Sequence, residues 1–143
     1  MPIVVDASVT LAWCFEDEGT PFTDFVLARL RVESAMAPAI WPLEVANALI
    51  LGERRGRIGL DRIDEALDRL RSLPIVVTAE PLDVVWSSMR SIARSLRITV
   101  YDASYLDLAV RNGVPLATLD GRLRDAARRI GVPLVEPDGR DSS

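Results

Sequence analysis

Residues Ile3, Val4 and Val5 form a short β-branched apolar run that ends abruptly in Asp6, and Ala7, Ser8 and Val9 then open a helical pattern. A run of this length, closed by a capping residue and followed by helical periodicity, reads as a buried strand feeding a helix. Asp6 then stands at the carboxyl end of the strand. That is the edge of an open α/β sheet where strand ends and helix N-termini converge and ligands bind. The remaining chain is constrained by what else it delivers to that edge.

Four further strand-like segments recur between helical ones: Ala35 to Ala37, Pro74 to Val77, Leu116 to Thr118, and Leu134 with Val135. The helical patterns fall over 8–15, from Thr20-Pro21 to about Glu33, over 43–54, from Leu60, from Leu82 to Leu96, from Asp102, and from Leu123 to Ile130. Alternation of this kind predicts a single α/β domain over 1–135, with a parallel sheet covered by helices on both faces. Gly-Val-Pro-Leu occurs at 113–116 and again at 131–134, the same helix-stop and strand-start chemistry used twice. The polar segment 136–143 reads as a loose tail.

Leu82, Val85, Trp86, Met89, Ile92, Ala93 and Leu96 have the spacing of one core-facing stripe, which predicts a buried Trp86. The segment Leu43 to Arg54 is apolar nearly all round and needs cover on more than one side, from the fold or from another subunit. Arg54, Arg55 and Arg57 follow it with positive charge.

The inventory of side chains excludes several chemistries. There is no histidine, which removes histidine triads, imidazole acid-base catalysis and the usual zinc hydrolase sites. All 17 basic residues are arginine, so no phosphate-loop lysine or Schiff base exists. Cys14 is the only cysteine and lies in an apolar pattern, where a small buried residue is expected. No apolar run reaches the ~20 residues needed to cross a bilayer, and the first residues lack a secretory pattern, so a cytoplasmic protein without a membrane is expected. Carboxylates, hydroxyls and arginines remain.

Asp6, Asp102 and Asp120 occupy equivalent places, each at a strand end or helix start, and Glu44 stands early in the apolar helix. Singly, each has an ordinary explanation as a helix cap or a first-turn acid. Together on one edge they would repel, and some would take up protons unless a cation held them. Oxygen-only ligation suits a hard divalent ion such as Mg²⁺ or Mn²⁺, whose chemistry is activation of water for attack on a phosphodiester. Asp107, five residues past Asp102, falls about 140° round a helix from it and is assigned to structure. Arg122 is placed either to face phosphate or to solvate the last helix.

Four motifs carry a resemblance: Val-Val-Asp-Ala-Ser-Val at 4–9, Pro-Leu-Glu-Val-Ala-Asn-Ala-Leu at 42–49, Val-Tyr-Asp-Ala-Ser-Tyr-Leu-Asp-Leu-Ala at 100–109, and Ala-Thr-Leu-Asp-Gly-Arg-Leu at 117–123. In this order and spacing the chain resembles PIN-domain proteins, and among them the small VapC-type ribonuclease toxins of bacterial toxin-antitoxin pairs. The resemblance implies a three-layer fold with a five-stranded parallel sheet, and a Mg²⁺- or Mn²⁺-dependent endoribonuclease acting on tRNA, rRNA or mRNA. It assigns Asp6, Glu44, Asp102 and Asp120 to the acidic quartet. Asp6 and Asp102 come first as metal ligands, Asp120 next, and Glu44 acts through water. Ser8 and Thr118 match hydroxyl positions that support the carboxylates, and Asn47 a polar position beside the helix acid. A VapB-type antitoxin is the implied partner, and the helix 43–54 with its arginine end is the candidate contact, either for that partner or for a homodimer. The alternatives are a PIN-fold processing nuclease without antitoxin, and a non-catalytic RNA- or protein-binding module.

Overall fold

The computed structural model describes residues 1–136 and the backbone of 141 and 142. Five strands, β1 (Ile3–Val5), β2 (Ala35–Pro38), β3 (Ile75–Thr78), β4 (Leu116–Ala117) and β5 (Leu134–Val135), form a parallel sheet in the order β3-β2-β1-β4-β5. A two-residue strand β6 (Asp141–Ser142) pairs antiparallel with β5. It lies in the segment expected to be a loose tail; the rest of that tail, 137–140 and 143, lies outside the described residues.

The helices are α1 (Ala7–Cys14), α2 (Pro21–Arg29), α3 (Trp41–Arg54), α4 (Leu60–Ser72), α5 (Leu82–Val84), α6 (Arg90–Leu96), α7 (Val100–Asn112) and α8 (Gly121–Ile130). Their ends follow from local chemistry. Thr20 and Thr23 form a reciprocal capping box across Pro21, the first residue of α2. Gly113 and Gly131 end α7 and α8 at φ values of 63° and 77°, the left-handed conformation that glycine enters without steric cost. This explains the repeated Gly-Val-Pro-Leu.

Alternation along β1 sends its side chains to two separate cores. Ile3 and Val5 join Ala35, Ala117 and Val135 beneath Phe22 and Val26 of α2 and Leu30 just past its end. Val4 joins Leu116 and Leu134 on the opposite face, with Leu106 and Ala109 of α7 and Leu123 of α8. Both faces of β1 are fully buried. This is why it reads as a continuous apolar run rather than an alternating one. Cys14 is buried as expected.

One expectation changes. Trp86 is 64% exposed whereas Met89, Ala93 and Leu96 of the same expected stripe are buried. Residues Val85–Met89 form a π-helical turn between α5 and α6. Its wider winding rotates everything upstream of Met89 relative to a regular helix, so Trp86 faces outward while Ser88, itself exposed, donates to the buried Asp107. For α3 the fold supplies only part of the expected cover. The chain covers its Trp41, Val45, Leu49 and Gly52 side, while Leu43 and Ile50 are exposed.

The strand order positions the site. Connections from β1 run outward through β2 to β3, then the chain returns across the sheet to place β4 on the other side of β1. The direction of winding reverses between β1 and β4. A crevice opens at such a switch point, beyond the carboxyl ends of the strands.

Candidate acidic site at the strand ends

Pairing of Val5 with Ala117 brings the residues that follow, Asp6 and Thr118, side by side at the switch point. Asp6 is 4% exposed and is the N-cap of α1, its Oδ1 accepting from the Val9 N–H at 3.1 Å. Ser8 donates to the same oxygen at 2.7 Å, and Thr118 Oγ1 donates to Oδ2. The hydroxyls also look away from Asp6. Ser8 Oγ accepts from the Leu119 N–H at 2.9 Å, and Thr118 Oγ1 from the Asp120 N–H at 3.0 Å. The two strand-to-helix turns are thus clipped together through the carboxylate. Thr10 Oγ1 donates to the Asp6 carbonyl at 2.8 Å and accepts from Trp41 Nε1 at 2.9 Å, which fixes the start of α3 against α1.

Asp120 caps α8, its Oδ1 accepting from the N–H groups of Arg122 and Leu123 at 2.9 and 3.4 Å. Asp102 is not a cap. Thr99 caps α7, accepting from the Asp102 N–H at 3.0 Å, so Asp102 occupies the first turn with its carboxylate beside the Thr99 hydroxyl. The expected start of this helix at Asp102 moves to Val100, because the Thr99 hydroxyl takes the capping role. Glu44 lies in the first turn of α3, half-buried, and its Oε1 accepts from the Tyr105 hydroxyl at 2.6 Å.

The acids sense one another. Burial, reinforced by Asp120, pushes the Asp6 carboxyl up to about 6 against three hydrogen bonds that oppose the shift. Burial and then Asp120 raise Asp102, with Arg122 pulling the other way. Burial raises Glu44 and Asp102 adds to it, while the Tyr105 bond works against the shift. The ion pairs among the described residues use other carboxylates, so none of these four acids has a salt-bridge partner. A set of mutually repelling, partly desolvated oxygens without a paired cation fits a hard divalent ion in its donor chemistry. Among the described residues no three acids converge closely enough to hold one ion directly. An ion there would keep several waters, as Mg²⁺ does when one or two carboxylates bind it.

The other expected residues separate. Ser8 and Thr118 join the site. Asn47, one turn beyond Glu44, is exposed and forms no hydrogen bond among the described residues. Asp107 is buried away from the acids, accepting from Ser88 at 2.8 Å and pairing with Arg111 Nε at 2.6 Å, a structural role as its helical angle indicates. Arg122 acts on Asp102 electrostatically. Tyr105 was not singled out from the sequence. It stands three residues past Asp102, hence on the same side of α7, and a buried tyrosine hydroxyl needs a partner; those two signals point to it.

A doubly wound parallel sheet with four acids at its switch point defines the class to which the chain conforms. The chain belongs to the PIN-domain family, in its VapC type, with residues 3–129 matching the sequence model of the PIN domain. Ribonuclease VapC3 of Mycobacterium tuberculosis is 38% identical over 98 residues, which cover 68% of this chain and 69% of that protein. Ribonuclease VapC3 of Pyrobaculum aerophilum is 29% identical over 123 residues, 86% of this chain and 92% of its own. The crystal structure of PAE2754 from Pyrobaculum aerophilum superposes with a TM-score of 0.68 at 24% identity, covering 88% of this chain and 84% of that one, and supports the fold.

Proposed function

We propose that the protein is a Mg²⁺- or Mn²⁺-dependent endoribonuclease that cleaves cellular RNA as the toxin of a toxin-antitoxin pair. The observation that carries this reading is the set of four acids at the switch point with no ion-paired cation among them. The ribonuclease names of the relatives support the RNA substrate.

Asp6 and Asp102 are the first ligands in this reading, Asp120 the next through one of the ion's waters, and Glu44 also acts through water. When bound, the ion supplies activation of the attacking water and stabilisation of the departing oxygen. The chain supplies orientation. Ser8, Thr118 and the Val9 N–H fix both oxygens of Asp6, so this carboxylate cannot rotate as charge changes beside it. Arg122, close enough to act on Asp102, offers a cation to an RNA phosphate entering the crevice.

No helix among the described residues is long and apolar enough to cross a membrane. A cytoplasmic site of action belongs to the same reading. A VapB-type antitoxin, and a homodimer using the exposed Leu43 and Ile50 side of α3, complete the proposal.

Cleavage of a mixed tRNA and rRNA pool, with Mg²⁺ or Mn²⁺ and with EDTA, tests it beside Asp6→Asn and Asp102→Asn. Discrete fragments that vanish with EDTA and in both variants are expected. Fragments that persist in EDTA refute the metal, and fragments that persist in both variants refute the site.

A further inference from the structure

Three elements that carry acids meet at one side chain that has no acidic role itself. Tyr105 is 2% exposed and lies on α7, one turn after Asp102. Its hydroxyl donates to Glu44 of α3 at 2.6 Å, and the same oxygen accepts from the backbone N–H of Ala7, the residue directly after Asp6. One phenol therefore spans the turn that holds Asp6, the first turn of α3 and the first turn of α7.

Resting on the nuclease reading above, we propose that Tyr105 is a positioning residue that acts through Glu44, holding its carboxylate in the acidic crevice beside Asp102. Three observations argue for it. Glu44 has no ion-pair partner, and the acid it feels is Asp102, which repels it. Without a donor, a half-buried glutamate facing a like charge lowers its energy by swinging to solvent. The Tyr105 hydroxyl is the one side-chain donor to Glu44 among the described residues. The phenol also keeps its proton, because burial and the Glu44 carboxylate push it above the ordinary tyrosine range. It is thus a constant donor.

The test is a double-mutant cycle on the full chain with Tyr105→Phe, Glu44→Gln and the pair. Calorimetric titration with Mn²⁺ is one readout and kcat and KM on the RNA pool are the other. Outer-shell partners of metal-site carboxylates typically change affinity about 10- to 100-fold. Tyr105→Phe is expected to weaken Mn²⁺ binding about tenfold and to lower kcat with little change in KM. In the Glu44→Gln background the same substitution should change neither. Equal losses in both backgrounds would show a purely structural role, and no loss in either would also overturn the proposal. Thermal melting of each variant identifies any that fail to fold. Should Tyr105→Phe do so, Tyr105→Trp, which retains a ring and an N–H donor, replaces it and must show partial loss that Glu44→Gln abolishes. A wild-type chain that neither binds Mn²⁺ nor cleaves RNA would remove the nuclease reading and this proposal together. A wild type that does both, with Tyr105→Phe unchanged, would remove this proposal alone.

Discussion

Asp6→Asn should make the metal-free protein more stable at neutral and alkaline pH, even as it removes an acid from the site. An aspartate titrates at 3.8 in the unfolded chain and at about 6 when Asp6 is buried. Between those values the folded state holds a proton that the unfolded state has released, so stability falls as pH rises through this window and stays low above it. At about 1.4 kcal/mol per pH unit, the gap corresponds to ~3 kcal/mol. Asparagine removes that cost and caps α1 as well as aspartate does. Its carbonyl can accept from Ser8 and Val9, and its amide can donate to Thr118 once that hydroxyl turns. The lost charge assistance in these bonds trims the gain, leaving ~1–3 kcal/mol at pH 8 and little or none at pH 4. Urea unfolding in EDTA at intervals from pH 4 to 8 reads the difference. Added Mn²⁺ should raise the wild-type midpoint and leave the variant unmoved, narrowing the gap. An Asp6→Asn difference that does not vary with pH, or a variant less stable at pH 8, would refute the reasoning.

Thr118→Val keeps the shape of a fully buried residue while removing the donor to Asp6 and the acceptor for the Asp120 N–H. A loss of ~2–4 kcal/mol by urea unfolding is expected, and it should grow with pH because the deprotonated Asp6 depends most on that donor. Arg111→Met strands the buried carboxylates of Asp107 and Glu80. Because the guanidinium is partly exposed, solvent screens the pair, and a loss of ~1–3 kcal/mol is expected with cleavage per folded molecule unchanged. Gly52→Ala places a Cβ 2.7 Å from the Phe15 ring, itself buried. Alanine should gain ~1 kcal/mol in helix propensity and lose ~1–3 kcal/mol to overpacking, so thermal melting should show a net destabilisation, and a raised melting temperature would show that the ring yields freely.

Four of the five parallel strands were legible because proline stands directly before each and a capping side chain or polar turn follows; β2 lacks both and rests on its apolar Ala-Met-Ala run. The π-helical turn was not. A regular 3.6-residue stripe through Val85 and Trp86 describes the sequence equally well, and the wider turn is accompanied by a tertiary contact, Ser88 to the buried Asp107, that no local pattern announces. The same limit explains α7. Thr99 and Asp102 are both good caps, three residues apart. Helix geometry allows either start, and packing of Leu106 and Ala109 against the sheet does not separate them.

Within the site, sequence separates what turns dictate from what tertiary packing dictates. Asp6, Ser8, Thr118 and Asp120 lie in two strand-to-helix turns that must be adjacent once β1 pairs with β4. Their mutual hydrogen bonds follow from that pairing and from local cap geometry. Glu44 and Asp102 arrive on helix first turns, whose azimuth depends on how α3 and α7 pack, and a rotation of one residue, 100°, would take either acid out of the crevice. These two acids are therefore the ones that need tertiary devices: Trp41 bonded to Thr10 to anchor α3, and the Tyr105 hydroxyl to aim Glu44. Both devices use a buried aromatic whose polar atom crosses between elements, 31 and 61 residues apart in sequence. Such a group satisfies its own hydrogen bond only in one helix orientation, so the cost of an unpaired buried donor fixes the azimuth of each acid-bearing helix.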